Sequence, residues 1–203
     1  MIDPANITNY NLTNTELEEQ ILFWVCAAGK NGTTAARCLN KFLNLTSYYN
    51  CINITPFNII RLVLATKYPK PLSSLMKEAG IGCYNHKAIT FHQLVQADID
   101  LRTCAPEELE QIYGIGMKTS RCFILHTRKD AQVAGLDTHM LKHLKAMGVR
   151  KVPKTTPGSK KVYLRLEKKV LKFAKRMGFT PAEYDLAVWN KYKVESKEKE
   201  EVK

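Results

Sequence analysis

Lys118 and Asp137 are the two residues of this chain whose types and spacing best suit covalent chemistry. The pattern predicts that each stands at the start of a helix, Lys118 in the first turn of one and Asp137 as the N-cap of the next. A helix dipole and partial burial both favour the neutral, nucleophilic form of a lysine amine at such a place. Capping should fix the Asp137 carboxylate and keep it ionised. The structural alternatives are a solvent-exposed lysine and a plain helix cap.

Such a pair suits substitution at an electrophilic carbon that is bonded to oxygen, for example C1′ of a sugar. The amine would attack this carbon, and the carboxylate would stabilise an oxocarbenium-like transition state, as in glycoside cleavage. The pair therefore indicates glycosyl chemistry, provided that two helices hold the amine and the carboxylate close together.

A Gly114-Ile115-Gly116 turn directly precedes Lys118 and joins two helix-like runs. Glycines permit a sharp hairpin and a close approach of the backbone to another surface. The backbone amides from 114 to 118 would then point outward at a helix N-terminus, which is a ready anion site. A helix-hairpin-helix of this kind, over about residues 106–129, grips a DNA phosphate without reading bases. The alternative is an ordinary turn between two helices.

The positive charge of the chain is concentrated in one block after Asp137. The net charge is +12, and residues 142–176 carry thirteen Lys or Arg against one acidic residue, Glu167. A one-sided basic patch is the electrostatic footprint of a phosphate-backbone binder, although a solvated lysine-rich face would have the same composition. The candidate phosphate contacts in the block are Lys142, Arg150, Lys151 and Lys154.

Composition predicts a globular protein without a cofactor or a metal site. Hydrophobic residues make up 45% of the 203 residues, and the apolar runs are too short for a membrane span. The polar N-terminus lacks the features of a secretion signal, so we expect an intracellular protein, located with the DNA. The six cysteines are expected to be reduced thiols, since no two have the C-x-x-C spacing of a zinc or iron–sulfur site.

Hydrophobic periodicity predicts an all-α fold. A Thr15-x-x-Glu18 capping box should begin the first helix, and Pro71 should be the first residue of a later one. We expect residues 1–192 to form a single two-lobed domain with a site in the cleft between the lobes. The charged tail, residues 193–203, is predicted to be disordered.

Three spaced motifs carry a family resemblance. They read Tyr84-Asn85-x-Lys87-Ala88, Leu109-x4-Gly114-Ile115-Gly116-Met117-Lys118-Thr119-Ser120 and Leu136-Asp137-Thr138-His139. Over about residues 84–143 they resemble the helix-hairpin-helix (HhH-GPD) superfamily of DNA glycosylases, which contains endonuclease III and 8-oxoguanine DNA glycosylase. The resemblance implies that Lys118 attacks C1′ to form a Schiff base and that Asp137 assists base departure and lysine activation. Because members with this lysine are bifunctional, it also implies AP-lyase (β-elimination) activity.

Two departures from the superfamily's pattern narrow the resemblance. Tyr113 stands where the family usually has a proline, which should be tolerated because that proline only stiffens the turn. The chain also lacks the four-cysteine iron–sulfur loop of endonuclease III. Its C-terminal segment, residues 162–192, is instead similar to the short archaeal and bacterial 8-oxoguanine glycosylases. This similarity makes Trp189, with Lys191 or Lys193, a candidate base contact, whereas the alternative for Trp189 is core packing.

The resemblance also provides candidate DNA contacts. A flipped-out base leaves a gap in the duplex. Relatives often fill this gap from the loop that ends an N-terminal helix, which here holds Lys30 and Asn31, although the same loop could be a simple helix cap. His139 should line the site, unless it is a structural histidine. The DNA-backbone candidates are Gly114, Gly116, Thr119, His139 and Lys142.

The sequence therefore predicts a bifunctional DNA N-glycosylase/AP lyase of base excision repair. It should act as a monomer on damaged double-stranded DNA, with 8-oxoguanine as its first substrate. Two alternatives stay open at this point. One is the same chemistry on oxidised pyrimidines. The other is a non-catalytic helix-hairpin-helix DNA-binding protein, which would explain the charge and the glycines but not the spacing of Lys118 and Asp137.

Overall fold

The computed structural model describes residues 2–46, 54–67 and 70–201, with side chains described as far as residue 192. Within these ranges the regular structure is helical and contains no strand, which confirms the predicted all-α class. Most of the loop expected at 46–57, including Cys51, lies outside the described residues. The helices are α1 Asn14–Ala27, α2 Gly32–Leu45, α3 Pro56–Thr66, α4 Leu72–Glu78, α5 Tyr84–Gln96, α6 Pro106–Leu109, α7 Met117–Thr127, α8 Thr138–Ala146, α9 Lys160–Arg176 and α10 Pro181–Glu201.

A capping box begins α1, but not the one that the sequence predicts. Glu16 N donates to Thr13 Oγ1 at 3.3 Å, and Thr13 N donates to Glu16 Oε2 at 2.7 Å. The predicted box of Thr15 and Glu18 is therefore wrong by two residues. The Glu18 carboxylate accepts a hydrogen bond from Phe57 N at 2.9 Å instead, which ties α1 to the start of α3.

Two other element ends also differ from the prediction. Pro71 is the N-cap of α4 and so lies one residue before the helix. The first helix of the hairpin, α6, is a single turn that continues as separate turns to Ile112. The backbone of α10 is helical to Glu201, and the disorder of the tail, residues 193–203, stays a prediction. Residues 193–201 are rich in Lys and Glu, whose helix propensity is high, and they directly extend a packed helix.

Two hydrophobic clusters form the cores of two lobes. The first contains residues of the N-terminal segment, α1–α5 and the hairpin, among them the fully buried Ile21, Phe42 and Phe91. The second contains Ala134, Leu136 and residues of α8–α10. Helix α7 contacts both α1 and α10 and thus lies between the lobes. This arrangement produces a cleft whose walls come from both lobes.

A buried ionic centre joins the hairpin to the second lobe. Arg121 of α7 is 2% exposed and pairs with Glu110 of the hairpin and with Glu167 of α9. The distance from Arg121 Nε to Glu167 Oε1 is 3.0 Å, and the same carboxylate oxygen accepts from Ala134 N at 3.0 Å. Glu167, the one acidic residue of the basic block, is therefore buried and binds Arg121 and the backbone of Ala134. A buried charge network of this kind is tolerated only when its members are paired.

The backbone that leads into Asp137 is held by Tyr163 of α9. The Tyr163 hydroxyl donates to Ala134 O at 2.9 Å and accepts from Leu136 N at 3.1 Å. Together with the bond from Ala134 N to the ionic centre, these contacts satisfy the polar groups of a segment that has no regular structure of its own. The fold thereby fixes the direction in which Asp137 enters the cleft.

Candidate active site

A cavity of about 1150 Å³ lies between the two lobes, and Lys118 and Asp137, the two predicted catalytic residues, both line it. Trp24 of α1 belongs to the wall on the side of the first lobe. Asp137 and Trp189 belong to the wall on the side of the second lobe, and Lys118 lies at the start of α7 between them. A pocket of this size can enclose a nucleobase together with its sugar.

Lys118 lies in the first turn of α7, as predicted, and its side chain is half-buried. Its Nζ is 5.7 Å from the centroid of the Trp24 ring, which is within the range of a cation–π interaction. Both the lysine and the tryptophan line the cavity, so the amine lies beside the tryptophan face at the cavity wall. The lysine is therefore not the solvent-exposed residue of the structural alternative.

Asp137 is the N-cap of α8, as predicted, and its carboxylate accepts from Met140 N at 2.7 Å. The expectation that capping keeps it ionised is incomplete. Burial, followed by the charge of Asp185, raises the pKa of the Asp137 carboxyl, while the Met140 amide, Lys118 and His139 act in the opposite direction. The net direction is upward, so this carboxyl holds a proton more readily than a free aspartate does.

The hairpin before Lys118 needs a glycine at one of its two positions. Gly114 has a φ of +82°, and a Cβ at this position would lie 2.5 Å from Thr90 Oγ1. Gly116 has a φ of −98°, which any residue adopts, and its Cβ would have no neighbour within 4 Å. Gly116 is also the N-cap of α7, and since it has no side chain, it leaves the first amides of the helix uncapped. The surface at Gly116 is thus open to an external anion.

Comparison with known proteins identifies the family. The family model described as 8-oxoguanine DNA glycosylase matches residues 58–179, which is more than half of the chain. The chain belongs to the 8-oxoguanine DNA glycosylase family. The match includes the hairpin, Lys118 and Asp137, and it confirms the resemblance found in the sequence.

Solved structures of archaeal and bacterial proteins share the fold of this family member. The 8-oxoguanine DNA glycosylase of Thermotoga maritima aligns with a TM-score of 0.64 and 23% identity, over 87% of this chain and 79% of that chain. The Methanocaldococcus jannaschii 8-oxoguanine glycosylase/lyase, in complex with a 15mer DNA containing 8-oxoguanine, aligns with a TM-score of 0.65 and 20% identity, over 88% of this chain and 81% of that chain. Another structure of the M. jannaschii enzyme gives a TM-score of 0.64 and 19% identity, over 91% of this chain and 81% of that chain.

The candidate base contact and the candidate gap-filling residues all line the cavity of this family member. Trp189 is half-buried on α10. Lys30 donates from Nζ to Gly80 O at 2.6 Å, and Asn31 caps α2 by accepting from Thr33 N at 2.9 Å. Both loop residues thus have structural partners in the free protein, and either would have to exchange its partner in order to enter DNA.

Lys87 of the first family motif has a structural task at the same loop. Its Nζ donates to Cys26 O at 2.8 Å and to Ala28 O at 3.1 Å, at the end of α1. These carbonyls have no partner within the helix, and a cation stabilises the negative end of the helix dipole. Burial lowers the pKa of Lys87, since desolvation disfavours its charge. The motif therefore positions the loop that holds Lys30 and Asn31.

The DNA-backbone candidates of the sequence differ in their exposure. Lys142 is exposed on α8, whereas Thr119 is only 5% exposed and reaches no further than the cavity wall. His139 lines the cavity and stacks on Tyr192 with a centroid distance of 6.1 Å. Of these three side chains, Lys142 is therefore the one that can most readily contact a DNA phosphate outside the cavity.

The basic loop between α8 and α9 borders the cavity at Thr156, Pro157 and Gly158. Thr156 Oγ1 donates to Leu136 O at 2.8 Å, which attaches the loop to the segment before Asp137. Arg165 of α9 donates to the backbone oxygens of the loop from its other side. The candidate phosphate contacts Arg150, Lys151 and Lys154 are all exposed on this loop.

Sequence reasoning did not find two polar residues of the site. Asp185 of α10 lines the cavity, and its Oδ2 lies 3.3 Å from Nε2 of the fully buried His126 of α7. The available signal was the spacing to Trp189, because residues four apart lie on one face of a helix. His126 gave no signal, since it stands at the end of an apolar helical run.

The described part of the chain contains no cluster of three or more His, Cys, Asp or Glu side chains that could hold a metal ion. Its cysteines, at 26, 38, 83, 104 and 122, are free thiols. In the same residues, no helix has both the length and the apolar character required to cross a bilayer.

Proposed function

We propose that this family member is a bifunctional 8-oxoguanine DNA glycosylase/AP lyase in which Lys118 is the nucleophile and Asp137 its carboxylate partner. One observation carries the proposal: Lys118 and Asp137 line the same inter-lobe cavity, directly behind a hairpin that is open to a phosphate. Family membership supports 8-oxoguanine as the substrate. Residues 1–192 would act as one two-lobed unit, as a monomer on damaged double-stranded DNA.

Each side chain would have a defined role in the reaction. The damaged nucleotide leaves the duplex and enters the cavity, where Trp189 contacts the base. The Lys118 amine attacks C1′ and the glycosidic bond breaks, while Asp137 stabilises the oxocarbenium-like transition state. The resulting Schiff base acidifies the C2′ proton, and loss of this proton expels the 3′ phosphate by β-elimination.

The remaining candidates would bind and position the DNA. The backbone amides of the hairpin at Gly114 and Gly116, just before the N-terminus of α7, would bind a phosphate of the DNA backbone, as helix N-termini do. Lys142 and the basic loop would neutralise further phosphates, with Thr119 and His139 in support at the cavity wall. Lys30 or Asn31 would fill the space that the flipped base leaves.

The decisive experiment is borohydride trapping on an 8-oxoguanine:C duplex. The wild type should form a covalent complex, and Lys118→Gln should form none because it lacks the amine. Lys118→Gln should still bind the duplex with little change, since the hairpin amides remain, and this binding is the matched control. Trapping by Lys118→Gln at the wild-type rate would disprove the role of the lysine.

A lesion panel separates the alternatives. Excision of 8-oxoguanine opposite C should exceed excision of thymine glycol opposite A. The reverse order would assign the same chemistry to oxidised pyrimidines. DNA binding without excision, trapping or strand cleavage on any oxidised base or abasic site would leave a non-catalytic DNA-binding protein.

A further inference from the structure

A second carboxylate, Asp185, reaches the cavity from α10 and is held by a buried histidine. His126 Nε2 lies 3.3 Å from Asp185 Oδ2, and His126 Nδ1 lies 2.8 Å from Thr8 Oγ1. A carboxylate oxygen accepts hydrogen bonds, so in the Nε2–H tautomer His126 would donate to Asp185 while its Nδ1 accepts from the Thr8 hydroxyl. In this tautomer the three side chains form a directed chain.

The histidine has little freedom to turn away from Asp185. His126 is 0% exposed, and its ring stacks on Trp24 with a centroid distance of 5.4 Å and an interplanar angle of 13°. Asn9 N also donates to the backbone oxygen of His126 at 3.0 Å. The N-terminal segment thus clamps the end of α7 and sets the position of the imidazole.

Asp185 lies in the same part of the cavity as Lys118 and Asp137. A Cβ on Gly135 would be 3.9 Å from Asp185 Oδ1 and 2.3 Å from Cys122 Sγ, so these groups surround the backbone just before Asp137. Among the causes that raise the pKa of Asp137, the charge of Asp185 is second only to burial. The buried Cys122 thiol also feels the charges of Lys118, Asp185 and Asp137 together.

We propose that Asp185, oriented by His126 and Thr8, is a positioning carboxylate that makes Asp137 a better acceptor for the Lys118 proton and keeps this proton available for the departing base. The inference rests on the proposed function. Asp185 acts through Asp137 and need not touch the substrate. Two neighbouring carboxylates favour a shared proton, because both cannot easily be ionised at once.

The proton and electron pairs balance within the site. An N–H bond of the Lys118 ammonium breaks and an O–H bond forms on Asp137, which frees the nitrogen lone pair. This lone pair forms the bond to C1′, and the glycosidic electron pair leaves with the base. The O–H bond of Asp137 breaks as its proton passes to the departing base, which restores the carboxylate charge that stabilises the oxocarbenium-like transition state, so the step needs no other reactant.

The described groups around Asp137 leave Asp185 as the source of negative charge. Burial raises the pKa of the Cys122 thiol to about 12, and burial also raises the pKa of Tyr163, so both are neutral at neutral pH. The surrounding titratable side chains, one or more from each neighbouring helix, are Lys118, Cys122 and His126 of α7, His139 of α8, Tyr163 of α9 and Asp185 of α10.

The test is the rate of borohydride trapping in single turnovers, measured from about pH 5 to about pH 9 on an 8-oxoguanine:C duplex. Asp185→Asn should be slower by about tenfold at neutral pH. Its pH optimum should move to lower pH, because a neutral amide no longer raises the proton affinity of Asp137. His126→Gln and Thr8→Val should shift the optimum in the same direction by less, and Thr8→Ser should restore the wild-type profile.

The outcomes that contradict the inference are distinct from the outcome that contradicts the proposed function. An unshifted optimum for Asp185→Asn, with or without a uniform loss of rate, assigns a structural role and overturns the inference. A defect on 8-oxoguanine DNA that is absent on preformed abasic DNA assigns Asp185 to base contact and also overturns it. If Asp185→Asn does not fold, the Thr8→Val and Thr8→Ser pair decides by the same readout. Failure of the wild type to trap would sink the proposed function itself.

Discussion

The Asp137 carboxyl caps α8 and at the same time lies where burial and Asp185 oppose its charge. The first property stabilises the helix and the second weakens the fold. A carboxyl whose pKa is raised on folding contributes stability that is fully present below its unfolded pKa. This contribution is lost as the pH rises through the folded pKa. The site therefore holds its carboxylate at some cost to stability near neutral pH.

Asp137→Asn should be inactive and yet more stable than the wild type at neutral pH. Asparagine caps a helix about as well as aspartate, so the bond from Met140 N is kept while the repulsion from Asp185 is removed. We expect a melting temperature higher by a few degrees at neutral pH and a loss of excision of about a hundredfold or more.

The pH dependence provides the control for this variant. Thermal unfolding should show that the advantage of Asp137→Asn shrinks as the pH falls and disappears below the unfolded pKa of about 3.9, where the wild-type carboxyl is protonated in both states. A gain that is constant over the whole pH range would contradict the charge explanation.

Gly135 is required for packing and not for backbone freedom. A Cβ there would lie 2.3 Å from Cys122 Sγ, closer than real atoms approach. Gly135→Ala should therefore destabilise the protein by roughly 1–3 kcal/mol through overpacking, measured by urea unfolding. Combining it with Cys122→Ala removes the colliding sulfur, so the double variant should be more stable than the sum of the single changes predicts. Simple additivity would show that the two residues do not collide.

At the residue level, the sequence was sufficient to place Lys118 and Asp137 at the starts of helices, because each follows a local helix-start signal. It was not sufficient for Asp185, His126 and Thr8. These three are separated by 59 residues in one contact and 118 in the other, and hydrogen bonds over such distances leave no periodic pattern. Nothing in the sequence indicated the buried position of Glu167 for the same reason, since its partners Arg121 and Ala134 are remote in sequence.

The hairpin element combines a strained position with an open one. Gly114 is left-handed and faces Thr90, whereas Gly116 is extended and faces open space. The two glycines thus have separable tasks, the first in folding the turn and the second in exposing the helix N-terminus.

Paired alanine variants should separate these tasks. Gly114→Ala should lower thermal stability, with a cost of about 1–2 kcal/mol for the left-handed conformation and more for the contact with Thr90, and should also weaken DNA binding. Gly116→Ala should keep the melting temperature near that of the wild type and weaken DNA binding, because its methyl group would intrude on the phosphate. Equal melting temperatures for the two variants would contradict the assignment to Gly114.

The helices themselves were predictable where their signals are local and unique. Before α10 the sequence has a single Thr-x-x-Glu pattern, Thr180 to Glu183, and this pair caps the helix, with Glu183 N donating to Thr180 Oγ1 at 3.2 Å. Near the N-terminus two boxes of the same pattern overlap, and the sequence offers no means of choosing between them. The contact of Glu18 with Phe57 N, on another helix, decides the choice.

At the scale of the whole molecule, the two lobes and the charge distribution define how DNA can approach. The cavity opens between the lobes, and the basic loop borders it at residues 156–158. Arg150, Lys151 and Lys154 are exposed on this loop. Binding should therefore depend strongly on salt, as it does whenever phosphates are neutralised by basic side chains.

Neutralising the loop should reduce this salt dependence. A triple variant, with Arg150, Lys151 and Lys154 changed to Gln, should lower the slope of log K against log salt by about 2.7 if each side chain contacts one phosphate. The measurement is fluorescence anisotropy with a labelled duplex at several salt concentrations. A control that removes the same charge outside the basic block should leave the slope nearly unchanged; the exposed residues for it are Arg37, Lys41 and Lys77. Equal slopes for the two triple variants would mean that the block is only a solvated face.

The hairpin and the segment before Asp137 both depend on one side chain, Arg121. Its guanidinium holds Glu110 of the hairpin and also Glu167, which supports the segment before Asp137. We expect a copy of the protein that loses this centre, by partial unfolding or by chemical damage, to lose DNA binding and catalysis in the same event. Such a copy would dissociate from the duplex and leave the lesion accessible to an intact molecule. A defective copy that still bound DNA would instead block repair of the lesion.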